Sequence, residues 1–194
     1  EDGMNRRLRP ILGACLLLAG LALAGQALWL QGKALVAQQL IAHAWEQTLR
    51  TGQPVKPWRW ADTWPVARLT EPGGRQYYVL ASVSGQALAF GPGHHPASAR
   101  PGEAATMLLA GHQDSHFSFL QHLQPGQRLR VQGTRGVEHV YRVDNTQVVD
   151  STRQTMQFQQ GLAELRLVTC YPFASLQSGG PLRYVVSARL EPVT

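Results

Sequence analysis

Cysteine is scarce in this sequence: only Cys15 and Cys170 occur among its 194 residues. Cys15 lies inside a long apolar run, so the two thiols are not expected to meet, and a disulfide framework is excluded. The sequence has no cysteine pair with metal-ligand spacing and no His-Glu-x-x-His pattern, and we therefore expect neither a metal nor a cofactor. This leaves Cys170 as a single thiol in the remainder of the chain.

A basic stripe is also missing. The net charge is +6, but charged residues make up only 15% of the chain, and the arginines are scattered apart from Arg6, Arg7 and Arg9. Nucleic-acid binding requires clustered basic residues with interleaved aromatic side chains, so we expect no nucleic-acid partner. The hydrophobic fraction of 44% is sufficient for a packed core and argues against disorder.

The most apolar part of the chain is residues 11–30, which contain one polar residue, Gln26, and no charge. A helix of this length spans about 30 Å, the thickness of the hydrocarbon core of a bilayer. The arginines before it predict a cytoplasmic location for residues 1–10, and Trp29 fits the opposite interface. We predict an uncleaved, single-pass transmembrane anchor at residues 11–30, in preference to a signal peptide or a buried helix.

Residues 31–64 are predicted to connect this anchor to the main domain. Apolar residues recur with helical spacing from Gly32 to Arg50, which indicates an amphipathic stalk helix, and Gly52 and Pro54 end it. We interpret the Trp- and Pro-rich stretch that follows as a linker covering one end of the domain. Residues 65–194 then form the domain itself.

From residue 65 onward, short apolar runs are separated by turn residues at intervals typical of an antiparallel barrel or sandwich. A short helix is predicted at His116–Leu123. The predicted strands are Val66–Thr70, Tyr77–Ser82, Ala87–Phe90, Ala105–Ala110, Arg128–Gln132, His139–Asp144, Thr146–Val149, Glu164–Thr169 and Leu182–Leu190.

Cys170 directly follows the apolar strand Glu164–Thr169 and precedes Pro172, where a loop begins. A strand end holds a side chain rigidly and gives it access to solvent, as a nucleophile requires. Strand alternation puts Cys170 on the face of Arg166 and opposite to Leu167. This favours an accessible thiol over a buried structural cysteine.

A second strand, Ala105–Ala110, ends at Gly111, and His112 follows directly. An imidazole in this position can exchange protons with reacting groups, although a lone histidine more often has a structural role. His116 lies four residues further on and could join His112 in a metal site. The lack of any additional ligand pattern disfavours that alternative.

Arg183 is the third candidate. The strands before Cys170 and after Pro181 are expected to be antiparallel neighbours, which brings Arg183 close to Cys170. Arg189 lies roughly 20 Å further along the strand and is a poorer candidate. A guanidinium near a thiol can hold a substrate carbonyl or stabilise a developing oxyanion.

These residues together resemble the sortase family, whose members carry a Thr-x-Thr-Cys-like strand end, a His after an earlier strand and an Arg shortly after the Cys. The resemblance covers about residues 65–190 and implies a mainly β fold, a closed antiparallel β-barrel of about eight strands. Three further segments look most like the Gram-negative (proteobacterial) branch: Phe90–His94, Gly111–Phe117 and Cys170–Phe173. The family segments correspond to Leu167-Val168-Thr169-Cys170, Leu109-Ala110-Gly111-His112 and Pro181-Leu182-Arg183, with Leu167 in place of the usual first Thr.

The resemblance implies a cysteine transpeptidase that cleaves the C-terminal sorting signal of a secreted or envelope protein through a thioester on Cys170. His112 would donate a proton to the leaving amine and then deprotonate the incoming one, while Arg183 would stabilise the oxyanion. Thr169 and Asp114 are candidates for supporting roles. The implied partners are an LPxTG-like signal and an amine acceptor, such as a cell-wall peptide or a lysine.

The same resemblance implies a bacterial inner (cytoplasmic) membrane protein with its catalytic domain on the periplasmic side. Two other functions are compatible with the same residues. A cysteine peptidase or amidase would hydrolyse the thioester instead of transferring its acyl group. A membrane-tethered binding module would not need the Cys170 thiol.

Overall fold

The computed structural model of the chain describes residues 2–154, 157–174 and 180–192, with side chains from Leu12 onward. The chain divides into two compact units, Glu1–Gln39 and Leu40–Thr194. Its helices are α1 (Asp2–Thr51), α2 (Gly85–Leu88) and a 3₁₀ helix at Ser118–His122. Its strands are β1 (Pro65–Thr70), β2 (Gln76–Leu80), β3 (Gly93–His94), β4 (Thr106–Ala110), β5 (Arg128–Gly133), β6 (Glu138–Asp150), β7 (Glu164–Cys170) and β8 (Leu182–Leu190).

The first unit is the amino-terminal part of α1. From Leu12 to Leu30 its large apolar side chains, including Trp29, are mostly exposed. Between Leu12 and Thr51 the helix is long and apolar enough, by length and composition, to cross a membrane. A continuous apolar surface of this size is unusual in water and is typical of a helix that is covered by another apolar phase.

The last turns of α1 belong to the second unit and bury one stripe of side chains. Ile41, Ala44, Trp45 and Thr48 are each 1% exposed, and their spacing is that of one helix face. Ile41 packs in a small cluster with residues of β2 and α2. These buried residues form a stripe along one face of the helix, whereas Leu40 is exposed.

The second unit contains a closed eight-stranded barrel in the order β1-β2-β3-β4-β7-β8-β6-β5. The predicted barrel is confirmed, with a correction to its strand directions. Six neighbouring pairs are antiparallel, whereas β2–β3 and β4–β7 are parallel. Parallel neighbours require a long crossover, and the chain between β4 and β7 supplies it by passing through β5 and β6 on the other side of the barrel.

The barrel interior is filled by one cluster of buried apolar side chains from seven of the strands and the 3₁₀-helix region. Its members alternate along each strand with outward-facing residues, as a barrel wall requires. The most fully enclosed members include Leu69, Val79, Met107, Leu109, Phe117, Leu120, Leu129, Val131, Leu165, Leu167, Val186 and Ala188. Leu165 and Leu167 of β7 therefore point inward, and Arg166, which lies between them, points outward.

Three predicted strands differ in the structure. The segment predicted as a strand at Ala87–Phe90 begins as the helix α2, because the Ser84 hydroxyl accepts a hydrogen bond from the Ala87 amide and caps that turn. The two strands predicted between His139 and Val149 form one strand, β6, whose pairing with β8 shifts between Val143 and Asn145. That irregularity explains the apparent break in the pattern.

Candidate active site

Cys170 and Arg183 are direct partners in the antiparallel pair β7–β8. The neighbouring Tyr171 amide donates a hydrogen bond to the Leu182 carbonyl, 3.1 Å. The Cys170–Arg183 pair is thus of the non-hydrogen-bonded kind, in which opposite side chains on one face approach most closely. Both residues are half-buried, so the thiol has access to solvent. This is the neighbourhood predicted from the sequence.

The parallel pairing of β4 with β7 brings the residue that follows β4, His112, toward Cys170. Ala110 is the partner of Val168, and the Gly111 amide donates a hydrogen bond to the Val168 carbonyl, 3.1 Å. Continuing this register by two residues puts His112, whose side chain is exposed, beside Cys170. The three residues predicted from the sequence therefore follow one another across the ends of β4, β7 and β8.

The site lies on the outer face of the barrel. We call His112, Cys170 and Arg183 the site row. Two residues before His112 and Cys170, and two residues after Arg183, lies a second set, Ala110, Val168 and Val185, which we call the apolar row. Ala110 and Val168 are half-buried and Val185 is 2% exposed.

The Thr169 side chain links the end of β7 to the residue that follows β4. Its side chain points inward, is 2% exposed and donates a hydrogen bond to the Gly111 carbonyl, 2.7 Å. This bond joins the residue before Cys170 to the residue before His112, so it bears directly on the spacing of the thiol and the imidazole. The supporting role predicted for Thr169 remains a proposal, and this contact is its physical basis.

We expect Thr169→Val to weaken both the fold and the site. Valine keeps the shape but leaves the Gly111 carbonyl without its donor, which costs about 1–3 kcal/mol for a buried group. Urea unfolding followed by tryptophan fluorescence measures the loss, and the activity assay described below measures its effect on kcat. Thr169→Ser retains the hydroxyl and is the control. Equal stability and kcat for the valine variant and the wild type would contradict this role.

The turn after β4 is shaped by Gly111 and Phe117. The Phe117 amide donates to the His112 carbonyl, 3.0 Å, and the Phe117 side chain is fully buried in the barrel core. A Cβ atom on Gly111 would lie 2.8 Å from the Phe117 ring, too close for any other residue without a shift of the ring. Glycine at this position allows the turn that carries His112 to close over the core.

The Arg183 guanidinium is held by backbone oxygens at the start of β8. One of its terminal nitrogens, Nη1, donates to the carbonyls of Gly180, 2.5 Å, and Leu182, 2.9 Å. Across the described ranges, none of the seven ion pairs with carboxylates involves Arg183. Its positive charge is therefore not neutralised by a protein carboxylate there and remains available to a substrate oxygen.

His116 lies near His112 but faces a different environment. Burial lowers the pKa of His116 below its usual value; a hydrogen bond to the Ala89 backbone opposes this, and His112 adds to the lowering. The Asp114 side chain is exposed in the same turn, and its charge raises the pKa of His116 slightly. The supporting role predicted for Asp114 stays a prediction. Among the described residues, no group of three or more metal-ligating side chains is arranged to hold an ion.

A cavity of about 560 Å³ is lined by residues that precede β1 and β4 and by the β5–β6 turn, including Trp64, Arg100 and Arg135. None of the five site residues predicted from the sequence lines it. The register of the strands, and not the size of the cavity, identifies the reactive groups.

A protein-family model described as Sortase domain matches residues 71–191. The chain belongs to the sortase family. Sortase D of Bacillus subtilis is 32% identical over 109 residues, which cover 56% of this chain and 54% of that protein. The match therefore spans about half the length of this curated relative.

Solved sortase structures share the fold of this chain. Sortase A from Corynebacterium diphtheriae has a TM-score of 0.58 and 21% identity, over 70% of this chain and 64% of that one. Sortase D5 of Clostridium perfringens, titled a transpeptidase, has a TM-score of 0.60 and 19% identity, over 76% of this chain and 88% of that one. The resemblance read from the sequence is confirmed at the level of the family and the barrel.

Several features of this sortase site were missed in the sequence. The apolar row depends on the parallel pairing of β4 with β7, which local patterns do not encode. Another missed feature is the buried ion pair between Arg166 and Glu164, 2.9 Å, on the same outer face. Its sequence signal was the alternation of charged and apolar residues in Glu164–Leu167, which put Arg166 on the same face as Cys170 without indicating its partner.

Proposed function

We propose that this chain is a membrane-anchored cysteine transpeptidase that cleaves a C-terminal sorting signal and transfers the acyl group to an amine. The observation that carries the proposal is that Cys170 and Arg183 are cross-strand partners at the adjoining ends of β7 and β8, and that the exposed His112 follows the end of the neighbouring strand β4. Family membership supports the same chemistry.

In the first half-reaction, the Cys170 thiol gives its proton to the His112 imidazole and the sulfur attacks the carbonyl carbon of the scissile peptide bond. The negative charge that develops on the carbonyl oxygen is stabilised by the Arg183 guanidinium, which forms no ion pair with a carboxylate among the described residues. Collapse of this intermediate breaks the C–N bond, His112 gives a proton to the departing amine, and a thioester remains on Cys170.

In the second half-reaction, an acceptor amine attacks the thioester carbonyl. His112 removes a proton from that amine, the new amide bond forms and the C–S bond breaks, which regenerates Cys170. Water in place of the amine would give hydrolysis with the same residues. The exposed position of His112 gives an external acceptor direct access to the imidazole.

Residues 11–30 are proposed as a single-pass anchor in the cytoplasmic membrane, with residues 1–10 on the cytoplasmic side. Residues 31–64 form the stalk helix and linker, and residues 65–194 form the catalytic domain outside the cytoplasm. The apolar surface of α1 and the arginines that precede residue 11 in the sequence support this orientation. The assignment to the Gram-negative branch, and with it a periplasmic location, is proposed on the sequence segments around His94, His112 and Cys170.

The proposal is tested with the full chain in detergent micelles. A fluorescent peptide with an LPxTG-like signal is incubated with the protein and hydroxylamine as a small amine acceptor. Peptide hydroxamate is the expected product, whereas free acid alone would support the peptidase alternative. If neither product forms and the peptide binds equally well to a Cys170→Ala variant, the chain is a binding module and the proposal fails.

Arg183→Ala is expected to lower kcat by about 10²–10³-fold, the usual effect of removing one donor to an oxyanion. Arg183→Lys keeps the charge but loses the planar fork of donors, so partial activity is expected. Arg189→Ala is the matched control, because Arg189 lies on the same strand and face but pairs with Asp144 away from the site. Equal kcat values for the Arg183 and Arg189 variants would contradict the role of Arg183.

A further inference from the structure

The turn that follows β4, residues 111–117, carries His112, and we call it the His112 turn. Its first residue is tied to β7, because the Thr169 hydroxyl donates a hydrogen bond to the Gly111 carbonyl, 2.7 Å. Its last residue, Phe117, is buried in the barrel core. Both ends of the His112 turn are therefore fixed, whereas the His112 side chain itself is exposed.

The His116 ring attaches the second half of the His112 turn to two other parts of the barrel unit. A ring nitrogen of His116 donates a hydrogen bond to the Ala89 carbonyl. The ring also meets the Tyr77 ring of β2 edge-on, with centroids 6.4 Å apart and an interplanar angle of 88°. Tyr77 is only 6% exposed and stacks on Phe119, with centroids 5.5 Å apart. His116 thus has one polar and one aromatic contact with residues distant from it in the sequence.

Ala89 lies on a segment that is itself well anchored. It directly follows α2, whose Ala87 side chain is buried in one cluster with Leu80 of β2. The Leu80 amide also donates to the Pro92 carbonyl, 2.8 Å. Carbonyl groups at the end of a helix lack the backbone donors that exist within it, so a side-chain donor is favoured there. The hydrogen bond from His116 therefore joins the His112 turn to a segment that is held on β2.

The environment of His116 keeps its ring uncharged. Burial lowers the pKa of His116, and the hydrogen bond to Ala89 opposes that shift. The positive charges of protonated His112 and of Arg75 lower the pKa further, while the charge of Asp114 raises it. An uncharged imidazole has a single N–H group, and in His116 the Ala89 carbonyl engages it. His116 thus adds no positive charge beside His112 and holds no free proton for a leaving amine.

Proton transfer depends closely on the position of the His112 imidazole. A general acid must lie within about 2.6–3.2 Å of the atom that it protonates, and a misplacement of about 1 Å costs on the order of 10²-fold in rate. The exposed side chain of His112 takes its position from the backbone of the turn that carries it. A contact that fixes this turn therefore bears on the rate of proton transfer.

We propose that His116 is a positioning residue, which holds the His112 turn against the segment after α2 so that the His112 imidazole reaches the nitrogen of the scissile bond. This inference rests on the proposed transpeptidase function. His116 does not touch the reacting atoms and acts through the Ala89 carbonyl. Its effect falls on the proton-transfer step and therefore on kcat, and not on the binding of the peptide.

The test uses His116→Phe in the full chain in detergent micelles. Phenylalanine keeps a ring against Tyr77 but has no donor for the Ala89 carbonyl. We expect kcat for the LPxTG-like amide peptide to fall about 10–100-fold, while KM stays within about twofold. An ester peptide of the same sequence should lose less activity than the amide, because its alcohol leaving group needs less help from a proton donor.

Three further substitutions at this position separate the hydrogen bond from the shape of the ring. His116→Asn and His116→Gln each place an amide N–H near the position of one ring nitrogen, so one of the two should recover most of the lost kcat. His116→Ala leaves room for water at the Ala89 carbonyl and is the second variant if His116→Phe does not fold; it should show the same fall in kcat. His122→Phe is the matched control, since His122 is exposed at the end of the 3₁₀ helix, and it should change neither rate.

Amide hydrogen exchange tests the same contact without turnover. The amides of residues 112–116 should exchange about fivefold faster in His116→Phe and His116→Ala than in the wild type, as the loss of one hydrogen bond predicts. Unchanged exchange would overturn the proposal, as would equal losses of kcat with the amide and the ester, a rise in KM with unchanged kcat, or no recovery in either amide variant. If the wild type transfers no peptide, the proposed function fails, and the exchange measurement alone decides whether His116 holds the His112 turn.

Discussion

Cys170→Ala is expected to lower the rate of peptide hydroxamate formation by on the order of 10³-fold or more, because no other group in the site can form the thioester. The fold should be unaffected, since the half-buried thiol is not part of the barrel core. The measurement is chromatography of the fluorescent product formed by the full chain. Mass spectrometry of wild-type protein quenched with acid should show the acyl group on the peptide that contains Cys170.

Cys15→Ala is the matched control for this experiment. Cys15 is the other free cysteine and is exposed in the amino-terminal part of α1, far along the sequence from the site. Its replacement should leave the rate unchanged. Equal losses for the two cysteine variants, or full activity of Cys170→Ala, would exclude a Cys170 thioester and with it the proposed mechanism.

His112→Ala is expected to lower kcat by about 10²–10⁴-fold, the usual contribution of a positioned acid–base group. The size of the loss should depend on the leaving group. An ester in place of the scissile amide releases an alcohol, which needs less help from a proton donor than an amine does. The variant should therefore lose less activity with the ester peptide than with the amide peptide.

This comparison separates proton transfer from a structural role. If His112 only supports the turn after β4, both substrates should be affected to the same extent. His122→Ala is the control, because His122 is an exposed histidine at the end of the 3₁₀ helix. It should leave both rates unchanged. A loss that is equal for the amide and the ester would contradict the role of His112 as a proton donor.

The sequence predicts the part of the site that is formed by two strands joined directly by one loop. Cys170 and Arg183 are on two strands joined by one loop, so the assumption of antiparallel neighbours was enough to bring them together, and the observed register pairs them directly. His112 was harder to place. Its strand, β4, runs parallel to β7, and the alternation of side chains along β4 contains no information about which distant strand will be its neighbour.

The strands likewise divide into those that local sequence patterns predict and those that they do not. Strand alternation identified β5 and β8 almost to the residue, since one face of each is packed in the core. It failed at Ala87–Phe90, where the Ser84 cap favours a helical turn, and at β3, whose two residues are too few to give a pattern. The contact between Gln159 and Thr106 was also missed, because it joins residues 53 positions apart in the chain.

The bond between Thr169 and Gly111 joins residues 58 positions apart in the chain. Such distant contacts form late in folding, because a long loop must be closed first. During synthesis, a ribosome-bound chain exposes the imidazole well before the thiol has been translated, and the guanidinium follows last. An unfinished polypeptide thus has no assembled nucleophile with which to acylate itself or its neighbours, and reactivity arises only when the barrel closes.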